Sequence, residues 1–194
     1  MSIIPSQKQY SWTLEKWQKL IESGILDDEK IELIEGKIIK MSPERADHAY
    51  YNGKLAKILR SLLETTNKAV IREAHPVTLK RSEPEPDIAI VRSPDSIYLQ
   101  HHPYPEDIYW LAEISRSTLN FDLNQKLALY ASAAIPEYWV VDLRARKLII
   151  FSQVDPASSS YKQKREVAAA EDVEIILPGF SDLSMSSLEI WQID

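Results

Sequence analysis

Two acidic residues, Asp87 and Glu113, stand where the surrounding sequence is apolar. Glu113 lies within Trp-Leu-Ala-Glu-Ile-Ser at positions 110–115, and Asp87 follows a proline and precedes Ile-Ala-Ile-Val. A buried carboxylate without a partner costs several kcal/mol or becomes protonated, so Glu113 needs a partner. On two neighbouring strands of one sheet, the two acids would form an oxygen site that suits Mg²⁺ or Mn²⁺. The alternative is that Glu113 pairs with a core Lys or Arg and that Asp87 closes a turn.

The segment after Glu113 carries a second set of polar residues, Asp122, Lys126 and Tyr130, which are spaced four apart. Residues 122–134 are predicted to form a helix, on which this spacing places the three side chains on one face. If that face turns back over the strand, the Lys126 ammonium would hold an attacking water or stabilise charge on a phosphate. On spacing alone, a surface Asp–Lys pair worth about 0.3–0.5 kcal/mol is the better interpretation, and Tyr130 equally fits packing against the sheet.

The elements that must position these residues follow from hydrophobic periodicity and from turn residues. Thr13 and Gly24 bound a first helix, and a β-hairpin with Gly36 in its turn follows. The later predicted elements are helices over residues 47–63, 122–134 and 186–191 and strands over 69–73, 76–79, 107–115, 137–142, 147–151, 161–167 and 173–177. Residues 83–91 are predicted to begin as an extended approach fixed by prolines and then to enter another strand. The order strand, helix, strand between residues 107 and 142 predicts parallel strands joined by a right-handed crossover. The sequence therefore predicts an α/β fold with a mixed sheet, formed by a single domain over residues 1–194.

Composition limits the classes of function. The chain has 194 residues, a net charge of −6, no cysteine and no apolar run long enough to cross a bilayer, so disulfides, thiolate metal sites and membrane spans are not expected. The first residues lack the features of a secretory signal, and a cytoplasmic location is expected. The acidic charge argues against coating nucleic acid through overall charge, although local basic groups remain candidates for phosphate contact. These groups are Lys54, Lys57 and Arg60; Arg144, Arg146 and Lys147; and Lys162, Lys164 and Arg165.

Several short segments, in this order and spacing, resemble a known family. They are Ile-Glu-Leu-Ile-Glu-Gly at 31–36, Met-Ser-Pro at 41–43 with His48, Pro-Asp-Ile at 86–88, Glu-Ile-Ser-Arg-Ser-Thr at 113–118, Asp122 with Lys126 and Tyr130, and Ile-Pro-Glu-Tyr-Trp-Val-Val-Asp at 135–142. Together they resemble the Uma-type restriction endonucleases, a branch of the PD-(D/E)XK nuclease superfamily, over nearly the whole chain. The resemblance implies a restriction-endonuclease-like fold, which has a mixed central sheet flanked by helices. In this chain an N-terminal helix and hairpin and a C-terminal antiparallel extension would be added to it.

The resemblance also implies roles for individual residues. Asp87 matches the central metal ligand and Glu113 the second acid. The superfamily usually places a lysine two residues beyond that acid, where this chain has Ser115, and members of this type supply the lysine from the following helix, which indicates Lys126. Glu32 matches an early acidic position that orients water or helps to bind a second metal.

Three other residues are implied to support the catalytic set. Asp122 and Tyr130 would orient the lysine from the helix, and His48 matches a family histidine near the cleft. Glu35 competes with Glu32 for the early acidic position, but it lies next to the turn glycine. The adjacent histidines at 101 and 102 are interpreted as part of a solvated loop.

The expected function is therefore a Mg²⁺-dependent (or Mn²⁺-dependent) endodeoxyribonuclease, a hydrolase of phosphodiester bonds in DNA. Two alternatives stay open. One is a weak or inactive nuclease fold that binds nucleic acid or a protein partner, which the acidic charge and Ser115 favour. The other is a metal hydrolase acting on a different phosphoester. A homodimer is expected only by analogy with enzymes of this fold, and no membrane partner is expected.

Overall fold

The computed structural model describes residues 10–193 of the chain. These residues form two compact units. The N-terminal unit extends to Pro43 and includes Lys80–Pro84, whereas the larger unit comprises Glu44–Leu79 and the chain from Glu85 onward. The first nine residues, from which the absence of a secretory signal was argued, lie outside the described part. The assignment of all residues to one domain stays a prediction.

The N-terminal unit contains helix α1 (Leu14–Glu22) and a hairpin of strands β1 (Ile31–Ile34) and β2 (Lys37–Lys40). Thr13 caps the helix, since its hydroxyl oxygen accepts from Lys16 N at 3.3 Å. Glu35 and Gly36 form the two-residue turn with φ values of 48° and 73°, as a type I′ turn requires. The predicted first helix and hairpin are confirmed.

The larger unit is built on a six-stranded sheet with the order β3-β4-β5-β6-β7-β8. The pair β5–β6 is parallel and the other pairs are antiparallel, which confirms the predicted mixed sheet. The strands are β3 (Ala69–Glu73), β4 (Ile88–Arg92), β5 (Ile108–Ser115), β6 (Tyr138–Asp142), β7 (Lys147–Asp155) and β8 (Ser160–Ala168). A two-stranded antiparallel sheet of β9 (Glu174–Leu177) and β10 (Phe180–Ser186) follows as the C-terminal extension.

Helices accompany the sheet of the larger unit. Helix α2 (Ala46–Leu63) packs Leu55 and Leu59 into a buried cluster with β4, β5 and β6, and α5 (Leu188–Trp191) joins that cluster. The crossover from β5 to β6 contains α3 (Leu119–Phe121), a π-helical segment (Asp122–Lys126) and α4 (Leu127–Ser132). Short 3₁₀ helices lie at Glu64–Thr66, Asp95–Leu99, Pro105–Asp107 and Pro156–Ser158. The predicted architecture is thereby confirmed.

Three predicted details are wrong. Residues 76–79 form no strand, because Thr78 N donates to the carbonyl of Pro103 instead of joining a ladder. Strand β10 was not foreseen, since Phe-Ser-Asp-Leu-Ser-Met-Ser has too few apolar residues to alternate clearly. The crossover helix begins at Leu119, earlier than expected, and contains a π segment.

Within residues 10–193, no helix combines the length and the apolar character that crossing a membrane requires.

Candidate active site

The two strand carboxylates lie opposite each other on neighbouring antiparallel strands. Ile88 of β4 pairs with Ala112 of β5, so one further step of the register places Asp87 across from Glu113. Directly opposed residues of an antiparallel pair point to the same face of the sheet. The backbone supports this arrangement, because Ile114 N donates to Oδ2 of Asp87 at 2.6 Å. The structure therefore brings the two predicted acids together at one end of the β4–β5 pair.

Glu113 receives two hydrogen bonds from the crossover helix. Lys126 Nζ and Tyr130 Oη both donate to its Oε1, each at 2.9 Å. Lys126 is 2% exposed and Glu113 is 4% exposed, so this ion pair is fully buried. A surface pair between Asp122 and Lys126 is thus the wrong interpretation, because the lysine turns into the core and meets the strand carboxylate.

Asp87 is the more accessible acid, with a side chain that is 19% exposed. Its Oδ2 also lies 3.0 Å from Nε2 of His48, the third residue of α2, and Glu44 Oε1 lies 3.0 Å from Nδ1 of the same ring. Burial by itself would lower the pKa of His48, but the hydrogen bonds and charges of Asp87 and then Glu44 outweigh it and raise the pKa above the usual value. A protonated His48 would donate to both carboxylates and fix the orientation of Asp87.

Asp122 is held by hydroxyl groups on the strand side of the crossover. Its Oδ2 accepts from Ser115 Oγ at 2.8 Å and from Thr118 Oγ1 at 2.7 Å. Burial raises the pKa of Asp122, while the charge of Lys126 and the two hydroxyl donors act in the opposite direction. The π-helical segment begins at Asp122 and ends at Lys126, so the two ends of this segment are anchored on β5 and its C-terminal connection.

Tyr138 on β6 shows that the three acids share one neighbourhood. Its fully buried phenol has a pKa raised well above the usual value, first by burial and then by the charges of Glu113, Asp122 and Asp87. Its hydroxyl lies 3.3 Å from the backbone oxygen of Asp122. The carboxylates of Glu113, Asp122 and Asp87 therefore all act on the same poorly solvated region, where their negative charge exceeds the positive charge of Lys126.

The donor set suits a hard divalent cation. Mg²⁺ binds proteins through one or two carboxylates and keeps several waters or substrate oxygens, and Asp87 and Glu113 supply two such oxygen ligands. The excess negative charge around them also favours a cation. In the part of the chain that the structure describes, no group of three or more His, Cys, Asp or Glu side chains is arranged to hold a metal by itself. The fit is thus to a cation completed by water and substrate, not to a closed protein site.

The two acids considered for the early acidic position lie in the other unit. Glu32 and Glu35 belong to the N-terminal unit, where Glu32 is paired with Ile39 and Glu35 N donates to Ser82 Oγ, so their participation stays a prediction. His101 stacks on the ring of Tyr104 in the loop before β5, with ring centroids 4.9 Å apart.

Sequence reasoning also missed residues that the structure adds to the site. Ser115 and Thr118 hold Asp122, and Arg116 forms an ion pair with Asp47 beside His48. The Ser-Arg-Ser-Thr run after Glu113 was the available signal. It did not reveal which of its side chains turns inward.

Comparison with known proteins concerns the family and the fold. The model of the Uma2 family, described as "Putative restriction endonuclease", matches residues 14–187. The fold is similar to the crystal structure of a putative nuclease belonging to DUF820 from Anabaena variabilis, with a TM-score of 0.73 and 16% identity over 92% of this chain and 97% of that chain. At this identity the similarity concerns the fold, and it confirms the nuclease-like α/β architecture. No curated protein matches the chain.

The family match supports a nuclease, and the expected resemblance is confirmed. Because the family model covers most of the sequence, from the first described helix to the end of β10, this chain belongs to the Uma2 family.

Proposed function

We propose that this chain is a divalent-metal-dependent endonuclease that hydrolyses phosphodiester bonds in DNA. The observation that carries the proposal is the contact of Lys126 Nζ with Glu113 Oε1 at 2.9 Å, beside Asp87 on the neighbouring strand. Two strand carboxylates and a buried ammonium in contact form the set of groups that metal-assisted phosphodiester hydrolysis uses. The same three residues are the ones to which the family resemblance assigns the chemistry.

Asp87 and Glu113 would hold Mg²⁺ or Mn²⁺. When bound, such a cation supplies Lewis acidity toward a phosphate oxygen and lowers the pKa of the water it holds. Lys126 supplies a positive charge and a donor beside Glu113, where it would orient the attacking water or offset charge on the phosphate. Tyr130 holds Glu113 in place through the hydrogen bond to Oε1, and His48 does the same for Asp87.

Cleavage of DNA by purified protein tests the proposal. Supercoiled plasmid and linear oligonucleotides would be incubated with Mg²⁺ or Mn²⁺ and with EDTA as the reference. Asp87→Asn and Glu113→Gln are expected to lose at least about 100-fold in rate, since each removes a charged ligand. Glu106→Gln is the matched control, because Glu106 is an exposed acid of the same unit. Unchanged cleavage by the two site variants, or no cleavage by the wild type with either cation, would refute this function.

The buried ion pair itself favours a second candidate function. Because Lys126 and Glu113 already neutralise each other, the fold is consistent with a module that binds nucleic acid or a protein without cleaving. Titration of Mn²⁺ during thermal unfolding separates the two candidates. A catalytic site should raise Tm with cation concentration and should lose this response in Asp87→Asn, whereas a module without a site should show no response.

A homodimer and a cytoplasmic location are further parts of the proposal that rest on sequence and analogy. Many duplex-cutting enzymes act as pairs because a duplex presents two strands. Sedimentation of the purified chain with and without DNA would show whether two copies assemble.

A further inference from the structure

A group of aromatic and basic side chains lies beside the first turns of α2, outside the carboxylate site. Its members, here called the cation–aromatic strip, are Tyr50, Tyr51, Lys54, Arg146 and Trp191. Tyr50 and Tyr51 pack edge to face with ring centroids 5.2 Å apart, and Tyr51 lies 5.5 Å from Trp191. Lys54 and Arg146 stand over aromatic rings, 5.9 Å from the centroid of Tyr50 and 5.4 Å from that of Trp191.

The turn between β6 and β7 positions Arg146 beside the other residues of this strip. Asp142 Oδ1 accepts from the backbone N–H groups of Arg144 and Ala145, both at 3.0 Å, and closes the turn. Arg146 follows in a left-handed conformation with φ of 49°. Its guanidinium lies 3.5 Å from the hydroxyl of Tyr51. The arginine is therefore placed by the backbone of the turn and not only by a flexible side chain.

The strip carries positive charge that the described part of the chain does not neutralise. Within residues 10–193, neither Lys54 nor Arg146 forms an ion pair, and Lys54 donates to the backbone oxygen of Gln192 instead. In a chain with a net charge of −6, two cations without carboxylate partners beside aromatic rings indicate an anionic partner. Tyr50 is 44% exposed, so part of its side chain can be reached from outside.

The strip is continuous with the proposed active site. Asp47 is three and four residues before Tyr50 and Tyr51, so the three side chains are neighbours on the surface of α2. Asp47 binds Arg116, which directly follows Ser115 on the strand of Glu113. The turn that carries Arg146 also contacts the end of β5, because Leu143 N donates to Ser115 O at 2.9 Å.

Gly53 leaves open space on the surface of α2 near Tyr50. It stands in the middle of the 18-residue α2, where glycine is destabilising relative to alanine. Among the described residues, a Cβ at this position would meet nothing within 4 Å, so none of their contacts requires glycine. Gly53 lies three residues after Tyr50, and its bare surface leaves room for a partner to approach the tyrosine ring.

We propose that the cation–aromatic strip binds single-stranded nucleic acid and directs unpaired nucleotides to the carboxylate site. An unpaired base stacks on Tyr50, and the flanking phosphates contact Lys54 and Arg146. Stacking on an aromatic ring combined with backbone charge contacts is the general mode of single-strand binding, and a base-paired duplex does not expose base faces in this way. This inference rests on the proposed nuclease function and specifies its substrate as unpaired DNA.

Binding in EDTA tests the inference separately from cleavage. Fluorescence anisotropy would compare a labelled oligothymidylate with a duplex of the same length, using the wild-type chain. Tyr50→Ala is expected to weaken single-strand binding by about 5- to 150-fold, the range for loss of one base–aromatic stack, with little effect on duplex. Tyr50→Phe is the conservative control and should retain the affinity, since it keeps the ring.

Two further variants separate contact from folding. Arg146→Gln should reduce the slope of log affinity against log salt by about 0.7, as expected for one phosphate contact on a single strand. Gly53→Gln should keep or raise Tm, because it replaces a helix-interior glycine in open space, yet it should weaken single-strand binding by covering the approach to Tyr50.

The proposal would be overturned if Tyr50→Ala or Gly53→Gln bound single strands with wild-type affinity. It would also be overturned if these variants lost affinity equally for duplex and for single strand. A chain that binds oligothymidylate through Tyr50 but cleaves nothing would retain the strip while refuting the nuclease function. If the wild type cleaves duplex DNA and Tyr50→Ala cleaves it equally well, the nuclease function is retained and the proposal for the strip is refuted.

Discussion

Replacing Lys126 with methionine tests whether the buried ammonium is the counter-charge of Glu113. Methionine keeps an unbranched apolar chain of similar reach, so the main loss is the charge and its hydrogen bond. With Lys126 2% exposed and Glu113 4% exposed, solvent cannot replace the missing partner. Removing one member of a buried ion pair costs about 3–5 kcal/mol, because the other charge is left in the core. Tyr130 continues to donate to Glu113 and places the expected loss toward the lower part of that range.

Urea unfolding measures this loss directly. Trp110 and Trp139 are buried in the same sheet as Glu113, so part of the tryptophan fluorescence reports on the unit that contains the pair. In the absence of metal, Lys126→Met should lower the free energy of unfolding by about 3 kcal/mol or more at neutral pH. The double variant Lys126→Met/Glu113→Gln should recover much of the loss, because no charge is then buried without a partner.

A divalent cation extends the same test. In Lys126→Met, the carboxylate of Glu113 has lost the ammonium of Lys126, and Mg²⁺ should replace that charge. Saturation at about 100 times the dissociation constant would return about 2.7 kcal/mol. A loss below about 1 kcal/mol, or an equal loss in the double variant, would show that packing and not charge explains the role of Lys126, and the reasoning would fail.

Three other predictions follow from the geometry. His48 has a raised pKa and its protonated form holds Asp87, so calorimetric Mn²⁺ affinity should increase as pH rises from 6.5 through that pKa, whereas His48→Gln should show a flatter profile. Burial raises the pKa of Asp122, so the folded state favours the protonated side chain, and the stability that this supplies is complete below the unfolded pKa of 3.8 and is lost as pH rises through the folded pKa. The difference in free energy of unfolding between wild type and Asp122→Asn should therefore decrease as pH rises through these two pKa values. A difference that does not change with pH would contradict the assignment. Gly36→Ala should destabilise the N-terminal unit by about 1–2 kcal/mol or more, since φ is 73° and a Cβ would collide with Ser11; an unchanged Tm would contradict this account of the turn.

Much of the site could be anticipated because its residues stand out from their local sequence. A glutamate inside an apolar strand requires a partner, and a lysine followed by a tyrosine at helical spacing offers one. The structure pairs Glu113 with Lys126 and Tyr130 accordingly. Spacing alone still favoured the wrong partner for the lysine, since a surface pair with Asp122 satisfies the same pattern. Only the direction in which the helix faces the sheet separates the two.

Other parts of the site could not be predicted from the local sequence pattern. Ser115 and Thr118 are common residues in a polar run, and their contact with Asp122 depends on a π-helical segment that hydrophobic periodicity does not predict. Strand β10 was missed because its stability comes from pairing with β9, and its own sequence is mostly polar. Such features are set by neighbours that are distant in the chain.

The sequence by itself determined the positions of most strands and helices, the hairpin turn at Gly36, the mixed α/β class and the acids and lysine that belong to the family pattern. Those conclusions depend on periodicity, on turn residues and on residue types, all of which act over a few positions. Only the tertiary structure decided that Asp87 lies across from Glu113, that Lys126 turns inward, and that Arg146 meets Tyr51 on α2 and Trp191 on α5. The physical reason is that these contacts join residues between 13 and 95 positions apart, and strand register and helix packing bring them within a few ångströms.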